Sequence, residues 1–252
     1  MPVTVHAPSP DLRDHIRRYV MVDHAAARAD AHLPETGTLV AFVLRGTCEL
    51  AGAGPAPAAS VTGITETLRC HAHAAGNRVA IVAFTPAGAA ALFRVPLEEF
   101  ANRTVALAEA GLGRRDWAEE TARLRAAPSD ADRVRRLDGL FRSLLAGRRP
   151  DPLLAAATAW LHARPAGARI AALVRHVGLS QSALERSFRR GVGLTPKRFA
   201  ALVRFREAAR LAGTGLDFTT VAHAAGYADQ AHFARDCQRV TGAAPSRFFA
   251  AN

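Results

Sequence analysis

The sequence predicts an α+β chain: a small β-rich, barrel-like N-terminal domain with accessory helices, then an all-α C-terminal domain of two similar helical units joined by a long helix. Three observations predict it. Short β-prone runs alternate with turn signals up to about Phe93, the apolar spacing turns helical after Pro96, and a sixteen-residue stretch near the C-terminus repeats an earlier one at a shift of 49. A chain of 252 residues, 49% of them hydrophobic, has the length of one large domain or two ordinary ones and enough apolar mass for a packed core.

Thr38 to Leu44, Val61 to Leu68 and Val79 to Thr85 are rich in β-branched or aromatic residues and read as strands. Ala51 to Ala59 is a Gly/Pro loop with little to pack. Arg114 to Arg125, with Trp117, Thr121 and Leu124, reads as a helix. Asp130 to Ala146 reads as another, with Val134, Leu137, Leu140, Phe141, Leu144 and Leu145 along one stripe and Ser129 or Asp130 as its cap. Gly147 to Pro152 stops that helix, which predicts a boundary: residues 1–147 as a sensor or dimerisation domain, β-rich to about 95 and then helical, and residues 151–252 as the second domain.

The duplication is the informative feature. Leu184 to Phe199 reads LERSFRRGVGLTPKRF and Phe233 to Phe248 reads FARDCQRVTGAAPSRF, with six identities in sixteen positions. Arg186 falls on Arg235, Arg190 on Arg239, Gly193 on Gly242, Pro196 on Pro245, Arg198 on Arg247 and Phe199 on Phe248. Each copy follows the same grammar. In the first, a short amphipathic helix (Ile170, Ala171, Leu173, Val174, Val177) ends at Gly178, and Ser180 caps a second helix from about Gln181 to Arg190. In the second, Val221, Ala222 and Ala225 lead to Gly226 and Tyr227, and Asp229 caps a helix reaching about Val240. Helix, short Gly-containing turn and polar second helix is the helix-turn-helix plan. Between the copies, Pro196 to Ala212 is a helix of some seventeen residues, roughly 25 Å long at 1.5 Å per residue. With its flanking turns it could hold two reading helices about one DNA turn, roughly 34 Å, apart.

Charge points the same way. Before the break at Pro150 there are 19 basic and 16 acidic residues, net +3; after it 14 and 6, net +8. Nearly all of the later excess is arginine, Lys197 being the one lysine, and its donor fork suits phosphates and guanine edges. A coding preference for arginine explains the bias equally well. Cys48, Cys70 and Cys237 are too far apart to make a disulfide framework or a zinc knuckle by themselves. Asp11, Arg13 and Asp14 precede any long apolar run, and the most hydrophobic stretch, Val79 to Phe93, is broken by Pro86 and Gly88. The expectation is a soluble, cytoplasmic protein with no membrane partner.

Residues from about Asp151 to Phe249, through IAALVRHVGLSQSALERSFRRGVGLTPKRF and VAHAAGYADQAHFARDCQRVTGAAPSRF, resemble the DNA-binding domain of AraC/XylS-type transcriptional regulators. LPETGTLVAFVLRG and VAFTPAGAAALFRVPLEEF resemble, less specifically, the sensor portion of one branch of such regulators. The resemblance implies double-stranded DNA as partner, a small-molecule effector or a homodimer contact through the N-terminal domain, and RNA polymerase as a further partner. Carried over by position, it implies Ser182, Glu185, Arg186 and Arg189 as DNA-binding residues of the first unit, and Gln230, His232, Arg235 and Gln238 of the second. Their chemistry suits base edges: Arg forks onto guanine, Gln onto adenine, and Glu accepts from cytosine. The plainer reading of Arg186 and Arg235 is an internal salt bridge or a phosphate contact. Arg190, Arg198, Arg239 and Arg247 lie farther along, where clamping phosphate or solvating a face suits them better. Cys237 stands where the family usually carries a large aromatic, here matched by Phe188, which predicts looser packing in the second unit.

The competing class is a metal-binding protein or small-molecule enzyme built on the N-terminal domain, with the helical half as an appendage. Cys70, His71 and His73 offer an alternating pair of imidazoles, but two are a poor metal site without a carboxylate or third His, and Glu66 lies on the opposite strand parity. GxSxG, P-loop and GxGxxG patterns are missing, so no catalytic residue, metal or cofactor is expected. A third class is an architectural DNA binder that receives no signal. His6, His15, Tyr19, Glu35 and His71 could line a small-molecule pocket, though no spacing selects them.

Overall fold

The computed structural model describes residues 2–250. Ten strands occupy the first part: β1 (Val3–His6), β2 (Ile16–His24), β3 (Arg28–His32), β4 (Leu39–Arg45), β5 (Cys48–Leu50), β6 (Gly54–Pro55), β7 (Ala59–Thr62), β8 (Arg69–His73), β9 (Asn77–Phe84) and β10 (Thr104–Ala106). They form two antiparallel sheets, one of six strands in the order β1-β2-β9-β4-β7-β10 and one of four in the order β3-β8-β5-β6. The expected small sheet or barrel is thus two sheets.

The central strands β4 and β9 are nearly continuous apolar runs because they are covered on both faces. β2 carries Ile16, Tyr19 and Met21 into the core, with a register shift between Ile16 and Arg18. The helices α1 (Pro86–Leu92), α2 (Trp117–Arg125) and α3 (Asp130–Leu144) accompany the sheets. Trp117, Leu137 and Phe141 share one core with Tyr19, Phe42 and Phe84. Asp116 and Ser129 cap α2 and α3, each accepting a hydrogen bond from an amide three residues on.

Two sequence expectations change here. The run Val61 to Leu68 is a strand only to Thr62, because the chain then passes Phe100 so closely that a Cβ on Gly63 would lie 2.2 Å from the Phe100 carbonyl oxygen. The Ala51 to Ala59 loop contains the two-residue strand β6, held by pairing with β5 and not by side chains.

Seven helices follow: α4 (Pro152–His162), α5 (Ile170–Val177), α6 (Gln181–Val192), α7 (Pro196–Ala212), α8 (Phe218–Ala224), α9 (Gln230–Thr241) and α10 (Pro245–Ala250). They have two cores. Leu154, Leu161, Leu173, Leu184, Phe188 and Phe199 make the first, and Phe205, Val221, Tyr227, Phe233, Cys237 and Val240 the second. α7 supplies both, its early turns (Phe199, Leu202, Val203) to the first and its later turns (Phe205, Ala208, Ala212) to the second. The long helix is therefore a shared wall that fixes one unit against the other.

Candidate nucleic-acid interface

Both helix-turn-helix units are built by local chemistry. Gly178 closes α5 at φ +70, and Gly226 takes the matching place before α9 at φ +79, a backbone region that strains residues with a Cβ. Ser180 Oγ accepts from the Ala183 amide at 3.2 Å and Asp229 Oδ1 from the His232 amide at 2.6 Å, which starts α6 and α9. Gly193 and Gly242 end these helices in the left-handed region. From the glycine to the cap the second turn is one residue longer, Ala228 standing between Tyr227 and the cap. Tyr227 packs 5.4 Å from Phe233, ring centre to ring centre, so aromatic bulk in the turn accompanies the small Cys237, which is fully buried. Burial pushes the Cys237 thiol pKa up and keeps it a thiol.

The inner faces of α6 and α9 are filled by Leu184, Phe188, Phe233 and Cys237. On the other side, Ser182, Arg186 and Arg189 of α6 and Gln230, Arg235 and Gln238 of α9 are exposed, while Glu185 and His232 are half-buried. Glu185 accepts from the Gln181 side chain at 3.1 Å, and Gln230 from Thr219 at 2.9 Å. Gln238 donates to the Gly242 carbonyl at 2.7 Å, and the His232 ring stands edge-on to Tyr227 at 5.0 Å. Among the described residues, Arg186, Arg189 and Arg235 have no acidic partner.

The acids of this half explain why. Asp151, Asp217 and Asp229 are consumed as helix caps, and Glu207 pairs with Arg210. Asp236 takes Arg239, Arg204 and the Tyr227 hydroxyl. The arginines left over on the two outward helix faces therefore keep their charge for an external anion. Arg198 and Arg239, suited in the sequence to phosphates or solvent, are instead engaged internally, Arg198 with Glu66 and Arg239 with Asp236. Sequence reasoning also missed the node at Tyr227, whose ring carries the Arg204 guanidinium at 4.4 Å. Its hydroxyl is held above the ordinary pKa by burial and by the Asp236 charge.

The two halves are docked. Ile64 and Ala87 belong to the core of the first unit, and Leu33 packs on that of the second. The Leu68 amide donates to the Val240 carbonyl at 2.7 Å, Arg206 to the Pro34 carbonyl at 2.5 Å, and the His162 ring meets Thr36 Oγ1 at 3.0 Å. Beside this seam lies a cleft of about 680 Å³ whose walls include Arg13, Arg17, Thr85, Pro86, Ala159 and His162. Of the residues considered for a pocket, His6, His15, Tyr19, Glu35 and His71, none lines it. His15 and Tyr19 are buried, with Tyr19 donating to Asp138 at 2.8 Å, and Glu35 pairs with Arg18 and Arg206. No helix among the described residues is long and apolar enough to cross a membrane.

The family model of a helix-turn-helix domain matches residues 173–251, and that of a domain of unknown function, DUF6597, matches residues 4–106. No curated protein matches the chain. Among solved structures, ToxT from Vibrio cholerae is similar over 99% of this chain and 97% of its own, with 10% identity and a TM-score of 0.53. ToxT from Vibrio cholerae strain SCE256 with an unsaturated fatty acid bound is similar over 98% of this chain and 94% of its own, with 10% identity and a TM-score of 0.51. A protein described as a probable AraC family transcriptional regulator from Rhodopseudomonas palustris is 26% identical over 40% of this chain and 97% of its own, with a TM-score of 0.37.

Proposed function

We propose that this chain is an AraC/XylS-type helix-turn-helix regulator, that it binds duplex DNA through α6 and α9 in two successive major grooves, and that its β-rich half controls that binding. The observation that carries the reading is the pair of exposed helix faces whose arginines, Arg186 and Arg189 on one and Arg235 on the other, have no acidic partner among the described residues. Arg186 and Arg235 occupy the same place in the two units and are assigned to guanine O6 and N7. Gln230 and Gln238 are assigned to adenine, Glu185 to cytosine, and Ser182, Arg189 and His232 to the flanks of the same grooves. Phosphates fix the register around these contacts without reading sequence.

Residues 1–147 act as the sensing or dimerising part and 151–252 as the DNA-binding part, with the seam between them as the transmission surface. The cleft on that seam presents Arg13, Arg17 and His162 beside an apolar wall, against a single carboxylate, Asp14, and this excess of cations supports an acidic small molecule as effector. ToxT has been crystallised with a fatty acid bound, a ligand of that charge.

Selection of bound duplexes from a random pool tests the reading. The expected product is a site with two conserved segments centred about 10 to 10.5 base pairs apart. Enrichment of a single short segment, or none, refutes the two-groove arrangement.

A further inference from the structure

The four-stranded sheet assembles a cluster that no local pattern in the sequence displays. β3 and β8 pair so that Arg28, Asp30 and His32 stand opposite His73, His71 and Arg69, and directly opposed residues share a face. Asp30, His71 and His73 thus lie on one face, where His24, the last residue of β2 in the other sheet, meets them. The carboxylate and further histidines that the His71 and His73 pair lacked come from strands some forty residues away.

His24, Asp30 and His73 are 3%, 9% and 7% exposed, and their ligating atoms lie within 4.8 Å of one another. His32, His71 and His73 satisfy the same limit, so His73 is common to both groups.

The polar accounting is incomplete at this place. Asn77 Nδ2 donates to the Arg45 carbonyl at 3.0 Å, and its Oδ1 faces His73 Nδ1 at 3.1 Å. An amide oxygen only accepts, so His73 Nδ1 carries the ring hydrogen and Nε2 holds a bare lone pair. That Nε2 is buried without a hydrogen-bond partner, as are His24 Nδ1, His71 Nε2 and Asp30 Oδ2. His24 Nδ1 and Asp30 Oδ2 approach only to 3.6 Å, too far for a hydrogen bond. Buried polar atoms in native proteins nearly always find a partner, and the three orphans of His24, Asp30 and His73, within 4.8 Å of one another, point to a shared one. Their supports are in place: Asn77 orients His73, and Arg28 holds the other oxygen of Asp30.

We propose that this cluster binds one first-row divalent transition ion through His24 Nδ1, Asp30 Oδ2 and His73 Nε2, the three donors that lie within reach of one another. Imidazoles with one carboxylate suit Zn²⁺, Co²⁺ or Ni²⁺ and disfavour Ca²⁺ and Mg²⁺, which take oxygen shells. The His24 and His73 rings now stack 3.8 Å apart, and an ion at about 2.0–2.1 Å from each nitrogen draws the donors inward and tilts the rings out of that stack.

Both ligand-bearing strands continue into segments docked on the helical half. β3 runs into Leu33, Pro34 and Glu35, which meet the second unit's core and Arg206; β8 is entered through Glu66 and Leu68, which meet Arg198 and Val240. The ion therefore acts on how the second reading unit is held, a consequence that rests on the DNA-binding reading above.

Chelator-treated full-length protein titrated with Zn²⁺ by calorimetry, and with Co²⁺ by visible absorption, tests the site. One ion per chain is expected, with Co²⁺ ligand-field bands. His73→Ala and Asp30→Asn should each weaken binding at least tenfold while the exposed His223→Ala leaves it unchanged. Circular dichroism of the metal-free variants checks their fold, and His24→Gln replaces any variant that fails to fold. Substoichiometric binding, or wild-type affinity in the folded cluster variants, overturns the proposal. Zn²⁺ should also shift affinity for a selected duplex in the wild type and not in Asp30→Asn; an unshifted wild type refutes the coupling. Failure to bind any duplex with or without Zn²⁺ removes the DNA reading and the coupling together, and leaves the ion titration standing.

Discussion

Arg198 of α7 and Glu66 grip each other at two points, Nε donating to Oε1 at 2.7 Å and Nη2 to Oε2, so a cation of the basic half is neutralised by a carboxylate of the β-rich half. The arginine is 58% exposed and the glutamate 12%, and pairs of this kind contribute at most about 1 kcal/mol. Glu66→Ala should therefore cost about 1 kcal/mol or less in chemical denaturation. It should also release Arg198 to a phosphate, steepening the slope of log affinity against log salt by about 0.9. An unchanged slope would mean that Arg198 faces no DNA.

How much of this was legible in the sequence depends on how local the signal is. α5 to α9 were read from caps, turn glycines and a repeat, all contained within a few dozen residues, and their ranges agree closely with the structure. α1 was hidden in a hydrophobic run, although Thr85 as cap and Pro86 in the first turn mark its start. β3 and β8 read RADAH and RCHAH, with no β-branched residue, and exist because they pair with each other. The gathering of Asp30, His71, His73 and His24 follows from that register, which one strand alone does not encode. The destination of Arg198 was equally hidden, since its partner lies 132 residues away. The residues of the outward faces of α6 and α9 come from the family resemblance carried over by position, and the structure sets them on the side of each helix away from Leu184, Phe188, Phe233 and Cys237.

The two turn glycines should respond unequally to substitution. Both have positive φ, which costs a residue with a Cβ about 1–2 kcal/mol. A Cβ on Gly178 meets nothing within 4 Å, whereas one on Gly226 would sit 2.0 Å from the Ala166 carbonyl oxygen, a backbone atom that cannot rotate away. Gly178→Ala should lose only that backbone cost; Gly226→Ala should lose upwards of about 3 kcal/mol with displacement of the second turn. Equal losses in urea denaturation would show that the Ala166 approach is not a constraint.

The seam should loosen in acid. His162 Nδ1 donates to the Thr158 carbonyl at 2.8 Å, which leaves Nε2 to accept from the Thr36 hydroxyl across the seam. Partial burial first, then the charges of Arg17 and Arg206, hold its pKa below the ordinary 6.5, against the Thr158 bond that raises it. A group whose folded pKa is depressed binds its proton more readily unfolded, so its contribution is complete above about pH 6.5 and is lost as pH falls below it. Urea midpoints of the wild type should drop from pH 7.5 to 5 by more than those of His162→Gln. Parallel curves would place the acid sensitivity elsewhere.

Reading a base and holding a phosphate are separable at Arg186 and Arg235. Arg186 and Arg235 occupy equivalent places, both exposed and both without an acidic partner among the described residues, so neither is spent on the fold. A bidentate arginine–guanine contact is worth about 1–3 kcal/mol of discrimination, while a phosphate contact contributes equally on any sequence. Arg186→Ala and Arg235→Ala should each weaken binding to the selected duplex by about 1–3 kcal/mol, leave binding to random duplex nearly unchanged, and relax preference at one base pair, in different half-sites for the two variants. Because the two positions lie in separate units with separate cores, their losses should add in the double variant. Fluorescence anisotropy on selected, singly substituted and scrambled duplexes measures these quantities. Equal losses on both duplexes would reassign the arginines to phosphate, and loss from only one of the two would reduce the chain to a single reading head.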